Sequence, residues 1–229
     1  MRLPNMTASG DTLLKEFGLY HKTRLDADAS LYDMAKKWDA AQERLRAKVL
    51  TYEEAQAKTM TTMAFRDGVE AALGDEIRRL FGTLVNKTHN NIRSPLFGIF
   101  FPGGLSAVMK TTLEARLEKV GAILGKLAQQ GDPDLTAHAA PLSAAADALV
   151  AAIAEYKEVR KGEIRAFGVV EQEKVAWFDQ YKLDYLALAQ HFFQDPKKAD
   201  TFFKRIRQVK TKTAPSPLAV AAPSQTATA

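Results

Sequence analysis

Four histidines, His21, His89, His138 and His191, are the side chains of this sequence best suited to metal or acid–base chemistry, and their neighbours decide what they can do. A di-iron helical bundle needs Glu-x-x-His pairs, which place both ligands on one helix face. The residues three before these histidines are Gly18, Asn86, Leu135 and Leu188, so that ligand set is absent. His-Glu-x-x-His, Gly-x-Ser-x-Gly, a phosphate loop and a Gly-x-Gly-x-x-Gly after a strand are also absent. There is no cysteine, which removes disulfides, thiolate metal sites and thiol nucleophiles. Glu155, Glu158, Glu163, Glu171 and Glu173 crowd one segment, but carboxylates at that density mark a solvated helix face rather than an acid/base pair. The expectation is a non-enzymatic protein with no catalytic, metal or cofactor-binding residue and no cofactor.

Two segments remain that could bind something. Lys197, Lys198, Lys204, Arg205, Arg207, Lys210 and Lys212 lie between Pro196 and Lys212 with one acid, Asp200. The whole chain carries 32 basic and 27 acidic residues; without these seven and one, 25 face 26, so the body is neutral and the charge sits at one end. With Phe202 and Phe203 as stacking groups, that end is a candidate polyanion contact, although no nucleic-acid-binding motif accompanies it. The alternative packs Phe202, Phe203 and Ile206 inward and leaves the cations to water, where cations late in a helix suit its dipole. The second segment is the loop 96–109. Phe97, Phe100 and Phe101 in it would be costly to expose, so it is either a membrane wedge or docking loop, or a plug over the helix ends.

These segments must be positioned by helices. Leu31, Met34, Trp38, Ala41, Leu45, Val49 and Tyr52 recur at spacings of three and four, the signature of one helix face. The spacing predicts one long helix through Thr51, bent near Thr59–Thr62, with Val69, Leu73, Ile77, Leu80 and Leu84 continuing the stripe. Two prolines and three glycines predict a non-helical loop after Asn90-Asn91. Thr111 with Glu114 reads as a capping box for a helix to about Gln130. Asp132-Pro133 then opens the next helical part. A second long stripe runs from Leu142 through Ile153, Tyr156, Phe167, Val170, Trp177, Tyr181, Tyr185 and Leu188 to Phe192, with a kink expected near Gly162 and Gly168. Asp195-Pro196 starts a short last helix.

The two stripes match at an offset of 108, with Met34 on Leu142, Leu45 on Ile153 and Leu84 on Phe192. The expected fold is therefore all-α: an elongated antiparallel bundle of long helices, with the match at 108 suggesting two pseudo-repeated halves joined by the aromatic loop. A flexible leader over 1–10, a bundle domain over 11–208 and a disordered Ala/Pro/Ser/Thr-rich tail over 209–229 complete the organisation. With 46% apolar and 26% charged residues the chain can build a core. It shows no secretory leader and no run of about 18 uninterrupted apolar residues, so a cytoplasmic location without a transmembrane segment is expected. The leading functional expectation is an interaction or scaffolding protein that binds a protein partner or itself. Nucleic-acid association through the basic end and membrane activity through the loop 96–109 are the alternatives.

Overall fold

The computed structural model describes residues 3–204 of the 229-residue chain. Arg205, Ile206, Arg207, Lys210, Lys212 and the tail expected over 209–229 lie outside the described residues.

Every element among the described residues is a helix. The first, α1, runs over 10–26: α-helical at Gly10–Thr12 and Leu19–Asp26, with a wider π-helical turn at Leu13–Gly18. A 3-10 turn, Ala29–Leu31, leads into α2, Tyr32–Lys87, which is 56 residues long. Four shorter helices follow: α3 (Pro95–Phe100), α4 (Gly104–Met109), α5 (Leu113–Leu127) and α6 (Pro133–Thr136). The second long helix, α7, spans Ala139–His191 (53 residues), and α8 is Pro196–Asp200. At about 1.5 Å per residue, α2 and α7 are each about 80 Å long.

The threonines expected to weaken α2 are absorbed by it. Thr51, Thr59, Thr61 and Thr62 each donate a hydroxyl proton to the carbonyl four residues earlier, at 2.9, 3.0, 3.1 and 2.9 Å. The helix runs unbroken through them, and hydroxyls bonded back to the i−4 carbonyl favour a local bend rather than a break. Gly162 and Gly168 also sit within α7, whose helix runs through both.

The aromatic segment departs from its predicted form. It folds as two short helices, because Ser94 caps α3 by accepting from the Phe97 N–H at 3.1 Å and Pro95 takes the first helical position. The break is confined to residues 101–103, and Gly104, the first residue of α4, adopts φ +74°. The cap of α5 is Thr112, not Thr111. Thr111 donates its hydroxyl to the Val108 carbonyl at 2.8 Å and closes α4, leaving Thr112 to accept from the Ala115 N–H.

α2 and α7 pack antiparallel along their whole length. Trp38 meets Trp177 (ring centroids 4.9 Å), Arg44 pairs with Glu173 (3.1 Å), Tyr52 touches Phe167 (5.6 Å), Arg66 covers the Tyr156 ring (4.6 Å) and Thr83 bonds His138 (2.8 Å). The apolar core is split in two. The first head joins α1 and the start of α2 to the end of α7 and Ala199, Phe202 and Phe203. The second joins α5 and the start of α7 to the end of α2 and Phe97, Phe100 and Phe101. Between the heads, α2 and α7 form a two-helix stalk whose buried face is partly polar, with Thr59, Thr62, Glu163 and Lys174.

The heads repeat one burial pattern. At an offset of 104 (38 to 142, 73 to 177), buried Leu31, Trp38, Leu45, Thr59, Leu73, Gly74, Ile77, Leu80 and Leu84 fall on buried Leu135, Leu142, Leu149, Glu163, Trp177, Phe178, Tyr181, Asp184 and Leu188. At an offset of 102, Leu14, Gly18, His21 and Leu25 of α1 fall on Arg116, Val120, Ile123 and Leu127 of α5, and Phe97, Phe100 and Phe101 on Ala199, Phe202 and Phe203. The molecule is thus pseudo-two-fold, with the axis between Thr59 and Glu163. The register of 108 read from the stripes is in phase but about one turn out, since four residues nearly complete a 3.6-residue turn. Residues of the expected leader pack onto the first head: Pro4 is buried and Ala8 touches its core.

Candidate functional site

Equivalent positions in the two heads differ sharply in chemistry. The second head holds Ile123, Leu80, Leu73, Ile77, Leu142, Ala146 and Val120; the first puts His21, Asp184, Trp177, Tyr181, Trp38, Gln42 and Gly18 in their places. One backbone plan packs with aliphatic side chains alone, so the polar set is not something the fold demands. The π-helical turn of α1 lies in the same place, and α5 has no counterpart to it. Such turns concentrate at functional positions.

His21 is wholly buried, and both its nitrogens face acceptors: Nδ1 the Phe202 carbonyl at 3.0 Å, Nε2 the Asp184 Oδ2 at 3.2 Å. Gln180 donates to the other Asp184 oxygen at 2.7 Å. Gln42, with its amide oxygen turned inward, accepts from the indoles of Trp38 and Trp177, each at 3.2 Å, and the Trp38 N–H also reaches the Gly18 carbonyl at 3.1 Å. A side chain at residue 18 would collide with that amide, the added carbon standing 1.8 Å from its nearer polar atom. Tyr181 stacks on Trp177 at 5.1 Å, and burial pushes its hydroxyl well above the usual tyrosine range.

The cluster is closed by the segment after α8. Phe203 stacks on the His21 ring at 4.6 Å and meets Tyr181 edge-on at 4.8 Å. Tyr20 and Arg24 both donate to the Thr201 carbonyl at 3.1 Å, and Lys204 pairs with Glu16 at 2.8 Å. No substrate reaches the imidazole in this form, and the arrangement fastens the chain's last described residues to α1. The neighbouring Ser30–His191 contact (3.5 Å) makes no triad: Ser30 donates to Asp28 at 2.6 Å, and Asp28 caps the Ala29–Leu31 turn. No cluster of three metal-ligating side chains occurs among the described residues.

The structure places the sequence candidates as follows. Phe97, Phe100 and Phe101 are buried in the second head, with Phe81 5.1 Å from Phe97 and 5.3 Å from Phe101. Lys198 lies over the Phe192 ring at 4.2 Å, Lys204 is held by Glu16, and Lys197 is exposed. These residues are brought to no common surface with the aromatic loop, which occupies the opposite head. One 18-residue window within 133–191 is apolar enough by length and composition to cross a membrane, and 17% of it is buried. The alanine-rich stretch 139–154, interrupted by Pro141, Ser143 and Asp147, is the part of α7 nearest to an unbroken apolar run.

Periodicity read as core hid a further surface, on the stalk. Tyr52, Gln56, Met60 and Met63 of α2 follow one another at intervals of four, four and three, as do Tyr156, Arg160, Ile164 and Phe167 of α7. Each set lies on one helix face, and the offset of 104 superposes them. The Tyr52–Phe167 contact puts both on the same side of the stalk, and Tyr52, Gln56 and Phe167 line a groove of about 490 Å³ against Thr7 and Gly10 at the first head's end. Met60 is 63% exposed, Met63 40%, Ile164 59% and Phe167 49%. Compared with protein families, curated proteins and solved structures, the chain matches none.

Proposed function

We propose that this chain is a non-enzymatic interaction protein, a two-headed strut that presents the face of its stalk to a protein partner in the cytoplasm. The observation that carries this reading is the row Met60, Met63, Ile164 and Phe167, left uncovered in the middle of a molecule that buries its other stripes at both ends. Clustered exposed apolar side chains of this kind mark contact surfaces. The heads serve it by holding the two long antiparallel helices together across a span that a two-helix contact alone would secure weakly. The basic end supports a polyanion contact less well, because Lys198 and Lys204 are already engaged by Phe192 and Glu16.

The test is capture from native-host extract on the full chain and on a Met60→Glu/Ile164→Glu variant. A protein retained by the first and lost by the second is the expected result. Identical captures, or none, sink the reading.

A further inference from the structure

Each head is closed by a short strap that carries a Phe-Phe pair. At the offset of 102 the second head's strap, 95–101, falls on 197–203 of the first, with Ile99 on Thr201 and Lys126 on Arg24. One clamp repeats with it: Lys126 donates to the Ile99 carbonyl, and Arg24 to the Thr201 carbonyl at 3.1 Å. The straps differ in how they are tied. After Phe101 the chain continues through α4 into α5, so peptide links fix the second strap on both sides, and Ser94 caps its helix. After Phe203 no helix of the first head follows among the described residues, because α1 precedes α2 in the chain, and the Asp195 side chain does not cap α8. Polar contacts from one side of α1 stand in for the missing link. Glu16 holds Lys204, Tyr20 and Arg24 hold the Thr201 carbonyl, and His21 meets the Phe202 carbonyl. Glu16, Tyr20 and Arg24 are exposed, so water replaces their bonds at little cost.

The cores behind the straps differ in the same sense. The doubly tied strap closes a head that has Ile123 and Leu80; the singly tied one packs on His21, which pairs with Asp184. Uncovering aliphatic side chains only costs free energy, whereas a buried imidazole and carboxylate regain water when uncovered. What keeps the first strap shut is the burial of Phe202 and Phe203. We propose that residues 196–204 are a releasable strap, which opens and recloses over His21 while α1, α2 and α7 stay packed. The first head then has two states, one sealed and one that presents the imidazole to small solutes. The second head, its strap tied at both ends, has only the sealed one. The device sits on the head and is independent of the stalk face.

Labelling of His21 by diethyl pyrocarbonate in the full chain, read residue by residue by mass spectrometry along a urea series, tests this. Fluorescence of Trp38 and Trp177 gives the unfolding constant of the same head. His21 is expected to label at least about 100-fold faster than that constant allows, and with a shallower urea slope, because a local opening exposes little surface. Amide exchange in the same series locates the opening: 196–204 is expected to exchange in step with His21 labelling while α1 stays protected. Tyr20→Phe/Arg24→Met, which unfastens the Thr201 carbonyl, is expected to speed both at least several-fold. Labelling of His21 only at the rate and urea slope of head unfolding overturns the proposal. So does exchange of α1 together with His21, because the third helix rather than the strap would then be what moves. A labelling rate unmoved by Tyr20→Phe/Arg24→Met overturns it as well.

Discussion

Replacing His21 with Ile and Asp184 with Leu gives the first head the pair that the second already uses, Ile123 and Leu80. Each single change strands a partner. Asp184→Leu leaves His21 Nε2 in a closed aromatic cage with no acceptor, while His21→Ile removes the donor from both Asp184 and the Phe202 carbonyl and the ring from Phe203. Breaking a buried pair in this way costs about 3–5 kcal/mol, whereas replacing both members with packed apolar residues is neutral or stabilising by about 1–4 kcal/mol. Additive singles would sum to about 6–10 kcal/mol, so the cycle carries a large coupling energy. Urea denaturation followed by tryptophan fluorescence isolates the relevant head, because both tryptophans of the chain, Trp38 and Trp177, lie in it. With a slope of about 2 kcal/mol per molar urea, each single should move the midpoint down by about 1.5–2.5 M and the double should restore it. A double variant as unstable as either single would refute the equivalence of the heads.

Gly18→Val should destabilise by about 1–3 kcal/mol through overpacking against Gln42, and adding Gln42→Ala should relieve the collision but strand the buried Trp177 N–H, so the same assay should show only partial recovery. Phe101→Ala and Phe203→Ala, equivalent positions, should each cost about 3–5 kcal/mol. The second should shift the tryptophan transition, and the first should shift far-ultraviolet dichroism while moving the tryptophan signal less. The hydrogen bond from Lys87 holds the Asp132 carboxyl below the usual carboxylate range. Its stabilisation is present above about pH 4 and is lost as pH falls through the lowered value. Asp132→Asn keeps the cap of α6 but not the charge, so its melting-temperature deficit should be present at pH 6 and vanish towards pH 2.

Helix content and pairing were legible in the stripes because a three- and four-residue spacing over 50 residues has one physical solution. Register was not: the same periodicity that identifies a buried face makes every one-turn shift look alike, and the anchors that settle it, Leu31 with Leu135 and the Phe-Phe pairs, lie outside the stripes. The continuity of the helix through Thr59 and Thr62 was legible from the absence of Gly and Pro there, while the destination of their hydroxyls, the carbonyls four residues earlier, was not. The His21–Asp184 contact joins residues 163 apart and has no local signal. What could have exposed it is the repeat itself, once aligned, as charged and aromatic residues opposite aliphatic ones. The stalk face was hidden for a related reason: Tyr156 and Phe167 continue the buried stripe in phase, and the loss of a third helix above them is a property of the tertiary arrangement.

Photo-crosslinking in the native host tests the use of the stalk face most directly. A benzophenone amino acid placed in turn at Met60, Ile164 and Phe65 samples the floor twice and, through Phe65, a different side of α2 where exposure is comparable. The expected result is one adduct, of the same mass, from positions 60 and 164 and none from 65. An adduct formed equally from 65, or no adduct from either floor position, would contradict it.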